Sequence, residues 1–159
     1  MAATTLARRA AEPPLLARLK TDPAFQTFWI MRIAFTVVPI LFGADKFAHV
    51  MVNWDKYLAP EVQHWLSPFD TMHQTMYVVG IVEIVAGVVV LFMPRVGGYL
   101  VALWLAGIVA NLAMIGGYWD VMMRDVALCL LALSFARLSS SADVVRPAQP
   151  SSPSSTSTG

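Results

Sequence analysis

Glu83 stands alone in 79-VGIVEIVAGVVVLFMPR-95, a run otherwise as apolar as lipid. A carboxylate turned toward lipid costs at least about 2.5 kcal/mol on insertion scales, so it must face inward, either paired with a cation or protonated. Lys46, Arg124 and Arg32 are the cations that helical spacing brings within reach. A second acid, Asp125, shares a helical face with Cys129, and Asn111 shares one with Gly107, with Trp104 one turn further back. A buried carboxylate handles protons, whereas lysine, asparagine and arginine hold the oxygens of a ligand. Glu83 and Asp125 are therefore the candidate proton-handling residues. Lys46, Asn111 and Arg124 are the candidate ligand donors, with Trp104 and Tyr118 as contacts for a flat ring.

Each residue also has a plainer role open to it. Glu83 can be a structural ion pair between helices. Asp120 and Asp125 can complement a helix N-terminus, and Asp120 with Arg124 forms an i,i+4 pair. Lys46 and Arg32 can snorkel to an interface. His49, His64 and His73 all fall near one interface, none deep enough to clamp a haem, so neither a metal nor a haem is expected. Cys129 suits a small core position, and a lone cysteine excludes an internal disulfide or a multi-cysteine metal site.

These residues need a scaffold, and the composition names its solvent. The 159 residues are 57% hydrophobic and 13% charged, against about 25% charged in soluble domains. A net charge of +1 leaves no basic face dense enough for nucleic acid. The chain divides into a basic N-terminal arm over 1–24, a membrane domain over 25–138 and a Ser/Pro-rich tail over 139–159, expected to be disordered. Within the domain, apolar stretches at about 25–47, 72–93, 96–117 and 119–138 each approach the roughly 20 residues that a bilayer requires. Phe42 occupies the position where a signal-peptide cleavage site needs a small residue, so the first stretch is expected to stay. An aromatic loop, 48–71, joins the first two spans and is expected to lie on the membrane surface. A short helix is expected at Leu15–Lys20, and another at 60-PEVQHWL-66.

Lipid permits only helices or closed barrels, so the expected fold is all-α, a four-transmembrane-helix bundle. Seven lysines and arginines flank the face carrying both termini (Arg8, Arg9, Arg18, Lys20, Arg95, Arg137 and Arg146), against Lys46, Lys56 and Arg124 opposite. The positive-inside rule then makes both termini cytoplasmic, in a multi-pass protein of the cell membrane. Helical spacing lines up Arg32, Thr36, Pro39, Gly43 and Lys46 on the first helix and Gly80, Glu83 and Gly87 on the second. Small residues there let a neighbouring backbone approach the carboxylate.

The motifs 43-GADKF-47, 80-GIVEIVAG-87, 94-PRVGGYL-100 with Asn111, and 124-RDVAL-128 resemble the DoxX-like family of small four-helix membrane proteins, over roughly residues 25–138. That resemblance implies membrane redox complexes, some of them quinone-linked, and places Lys46, Glu83, Asn111, Arg124 and Asp125 at recurrent polar positions. The expected function is a small membrane subunit of a quinone-linked redox assembly, binding a quinone-like carrier and no covalently attached cofactor. Electrons would come from a protein partner, and self-association is compatible with the fold. The alternative is a non-catalytic anchor or assembly protein whose charges only fix helix packing.

Overall fold

In the computed structural model the described residues are 15–65 and 71–141, and every regular element among them is helical. The order is α1 (Leu15–Thr21), α2 (Pro23–Ala48), a single 3-10 turn (Trp54–Tyr57), α3 (Pro60–Trp65), α4 (Met72–Phe92), α5 (Pro94–Ile115) and α6 (Trp119–Leu138). Three stretches are long and apolar enough to cross a membrane: Pro23–Ala48, Gln74–Phe92 and Pro94–Ile115. The 20-residue α6 carries Asp120, Arg124, Asp125 and Arg137 and packs along α5. Most of the expected N-terminal arm and Ser/Pro tail lies outside the described residues, as do positions 66–70.

Local chemistry sets the helix ends. The Asp22 carboxylate accepts hydrogen bonds from the Ala24 and Phe25 amides at 3.0 and 3.1 Å, and Pro23 follows at a position where no N–H is needed. The first span therefore starts at Pro23, two residues before the apolar run that predicted it. Pro94 ends α4 and opens α5, which begins two residues ahead of the expected Val96. Met93 serves both helices: its N–H donates to the Val89 carbonyl at 2.7 Å, and its own carbonyl accepts from Gly97 at 2.8 Å. Gly116 and Gly117, at φ 69° and 86°, make the turn into α6 with a backbone that side chains resist.

The helices form two tight antiparallel pairs, α2 with α4 and α5 with α6. In the first pair the backbones nearly touch: a Cβ placed on Gly43 would lie 2.6 Å from the Gly80 carbonyl oxygen. Gly87 is pressed in the same way against Thr36 and Ile40, which is the close approach expected of the Gly80–Glu83–Gly87 face. In the second pair Gly98 abuts Ala136, and the Cys129 thiol donates to the Ala102 carbonyl at 3.2 Å. That contact gives Cys129 the core role its sequence suggested.

The two pairs join at one end. There Phe28 and Phe35 from α2 meet Phe135 from α6, with ring centroids 5.9 and 5.8 Å apart, above Ala86, Val90 and Val101. Lipid is as apolar as phenylalanine, so close packing rather than escape from solvent holds this junction. Arg32 donates to the Leu91 carbonyl in the last turn of α4, where Pro94 has no N–H to offer the helix end, a reach compatible with snorkelling toward that interface. Toward the opposite end the pairs leave a cavity of about 1010 Å³ between them.

Candidate functional site

Lys46 and Glu83 form the centre of that cavity's polar wall. The Lys46 ammonium lies 2.6 Å from Glu83 Oε2, and the residues are only 3% and 8% exposed. The glycines explain how two long side chains meet there. Gly43 and Gly80 draw α2 and α4 together one turn before Lys46 and Glu83, and the pair closes across the seam. Lys46 therefore does not snorkel. Its ammonium also sits 3.9 Å from the centroid of the Trp54 ring, a cation–π contact that covers its remaining face.

Trp54 reaches this place because the loop after α2 folds back over the bundle. His49 closes α2 in the left-handed region, at φ 53°. The Asp45 carboxylate then gathers the loop, accepting from the Val50 and Met51 amides at 3.1 and 3.0 Å and from the Trp54 indole at 2.7 Å. Asn111 holds it from the other pair: its amide donates to the Tyr57 carbonyl at 2.6 Å, and its oxygen accepts from the Ala59 amide at 2.9 Å. Leu58 and Ala59 are buried as a result. Two polar side chains thus satisfy the loop's backbone against the end of the bundle. Trp54 is half-buried, whereas Trp65 and Trp119 are broadly exposed.

The other predicted residues separate by position. Trp104 lines the cavity, and its buried indole N–H faces Glu83 without closing a hydrogen bond. Asn111 also lines it, but with oxygen and amide both engaged by the loop. Arg124 and Asp125 reach the cavity from the first turns of α6. Asp125 is 9% exposed. Its nearest cation is Arg124, 3.8 Å away and with a side chain 67% exposed, so the contact is weak. Arg124 pairs with Asp125 rather than Asp120. Tyr118 is not on the cavity wall; it packs edge-on against Tyr57 at 5.0 Å, and Tyr57 supplies the ring facing inward.

Sequence reasoning missed three contributors. Asp45 organises the loop, and Trp54 and Tyr57 line the cavity. The available signal was the density of polar and aromatic residues in 45-DKFAHVMVNWDKY-57. Gly107 behaves differently from Gly80: nothing lies within 4 Å of where its Cβ would be, so it leaves cavity space rather than admitting a helix. No group of three metal-ligating side chains occurs among the described residues.

The arrangement is a concave, mostly apolar chamber with convergent polar groups on one wall, of the size that encloses small molecules. Comparison with protein-family models, curated proteins and solved structures finds no match to the chain. The class that the helices themselves define is a helical membrane protein.

Proposed function

We propose that the protein is a small four-span membrane subunit that holds a lipophilic, quinone-like carrier in the cavity between its two helix pairs. The observation that carries this reading is the cavity itself, with a desolvated Lys46–Glu83 pair and the nearly unpaired Asp125 on its wall. An apolar chamber accepts a ring and tail, Trp104 and Tyr57 supply flat contacts, and Glu83 and Asp125 are positioned to exchange protons with a head group. In this reading, electrons for redox turnover would come from a partner protein. The fourth crossing, by α6, is supported by its length and its lateral packing against α5. Cytoplasmic termini are supported by the cations Arg18, Lys20, Arg95 and Arg137 at the end of the bundle where α2 begins. Placement with the DoxX-like proteins rests on the short motifs alone.

The test is solvent extraction of the detergent-purified protein, with mass spectrometry for a co-purifying quinone. Stoichiometric quinone in the wild type, lost from folded Glu83→Gln and Arg124→Ala variants, is the expected result. Absence of bound quinone, with variants that only melt earlier, would sink the carrier reading. The anchor reading would then stand, favoured by how completely Lys46 is engaged within the protein.

A further inference from the structure

The hydrogen-bonding groups on the cavity wall are unequally available. Lys46 is held by Glu83 and by the Trp54 ring. Asn111 is engaged by the loop, the Trp54 indole N–H is given to Asp45, and the buried Trp104 N–H, which has no partner, faces Glu83, the acceptor it would serve. Beyond Trp104, what remains for donating is Arg124 at the exposed rim and the Tyr57 hydroxyl, which serves either role. Acceptors are the opposite case. Lys46 bonds to only one oxygen of Glu83. Asp125, nine-tenths buried, makes no hydrogen bond among the described residues, and its one ion pair is the loose contact with Arg124. Both acids line the same chamber and lie close enough for the charge of one to act on the other.

A buried acceptor without a donor is costly, and hydrogen bonds to charged groups are about twice as strong as neutral ones. A molecule that brings donors relieves this wall, whereas one that brings only acceptor oxygens competes with it. We infer that the cavity's ligand is a lipophile whose head group donates hydrogen bonds, through O–H or N–H, to Glu83 and Asp125. The inference rests on the proposed reading of the cavity as a ligand site and narrows it. Of a quinone-like carrier, the hydroxyl-bearing reduced form is the one this wall favours.

Three probes of matched apolar bulk separate the possibilities, titrated calorimetrically into the full chain in phosphatidylcholine nanodiscs. They are 4-octylphenol, its methyl ether and a quaternary 4-octylphenyl trimethylammonium. The phenol donates, the ether only accepts, and the ammonium carries charge without a donor. The expected result is that the phenol binds roughly tenfold tighter than the ether, and that Asp125→Asn, which removes the charge and replaces one acceptor oxygen with a donating NH2, narrows that ratio. Equal affinity for phenol and ether would overturn the inference while leaving an apolar ligand cavity in place. Quaternary ammonium binding as tightly as the phenol would overturn it too, by showing that charge and not donation decides. Binding of none of the three would remove the ligand-site reading itself, with lipid as the remaining occupant. The wild-type ratio decides the matter even where Asp125→Asn proves unstable.

Discussion

Lys46 and Glu83, 37 positions apart in the chain, meet at 2.6 Å inside the α2–α4 seam with almost no surface exposed. Their contact ties the end of one span to the middle of the next. It also converts two residues that lipid would reject into a neutral pair.

Removing one partner leaves the other charged, buried and uncompensated, which costs about 3–5 kcal/mol where it has been measured in protein interiors. Lys46→Met and Glu83→Leu should each destabilise the protein by an amount of that order, and the double variant by much less than the sum. Denaturant unfolding in mixed micelles, run as a double-mutant cycle, reads the coupling directly. Additive losses would mean that the pair contributes nothing across the seam.

The glycines that permit this contact make a sharper steric prediction. A Cβ on Gly80 would sit 2.8 Å from the Gly43 carbonyl oxygen, a backbone atom that cannot step aside without parting the helices. Gly80→Ala should therefore cost about 1–3 kcal/mol, as overpacking does. Gly107→Ala meets open space and should be neutral, or stabilising by up to about 1 kcal/mol through helix propensity. Thermal melts of the two variants in one detergent check the contrast, and equal shifts would contradict it.

Much of this was legible beforehand because the deciding forces are local. Apolar run length located all four long helices, and Pro94 and the 60-PEVQHWL-66 signal were read correctly, with starts misjudged by two residues where the Asp22 cap and Pro94 in the first turn begin the helices. The helical step of Gly80, Glu83 and Gly87 placed the carboxylate on an inward face. What spacing could not supply was the path of the loop. Asn111 lies 52 and 54 positions from its partners Ala59 and Tyr57, and Asp45 binds backbone amides that have no sequence signature. Asn111 was therefore read as free to meet a ligand, Lys46 as able to snorkel and Tyr118 as a ring contact. The loop that engages the first two, and brings Tyr57 forward in place of the third, is a tertiary event.

The junction between α1 and α2 should respond to acid. Hydrogen bonds from the Phe25 and Ala24 amides, together with Arg18 3.4 Å away, hold the Asp22 carboxyl below its ordinary value of 3.8, against a smaller opposing effect of burial. A carboxyl lowered by folding stabilises the folded form above its unfolded value, and that contribution disappears as pH falls through the folded value. The cap should thus be intact at neutral pH and lost on titration downward from about pH 4. Hydrogen exchange at the Ala24 and Phe25 amides, corrected for intrinsic rates, should accelerate over that range. Asp22→Asn, which keeps an acceptor without the titration, should flatten the profile.

The proposed orientation in the bilayer rests on charge at the two ends. Arg18, Lys20, Arg95 and Arg137 flank the end where α2 begins, while Asp45, Asp55, Glu61, Asp120 and Asp125 crowd the other, around Lys46, Lys56 and Arg124. With α6 as a fourth crossing, reporter fusions after Pro94 and after Ser140 should both report cytoplasm. A periplasmic signal from either would reverse the topology or remove the fourth span.

Asn111 offers the most selective way to separate the loop from the bundle. Its side chain bonds the Tyr57 carbonyl and the Ala59 amide, the two contacts by which α5 holds a segment otherwise gathered from α2 by Asp45. Asn111→Leu keeps the volume and the helix propensity but leaves both backbone groups without partners, a loss of about 2–3 kcal/mol at a buried site. Because α2 and α4 meet through Gly43, Gly80 and Gly87, and not through the loop, their pairing should survive. Limited proteolysis should then show earlier cleavage between Val50 and Trp65, with the Lys46–Glu83 seam intact by the same unfolding assay. Asn111→Asp distinguishes the two bonds, since the carboxylate can still accept from Ala59 but confronts the Tyr57 carbonyl with a second oxygen; it should fall between wild type and the leucine variant. If the leucine variant unfolded globally with no separate opening of the loop, the loop would have to be counted as part of the bundle's core.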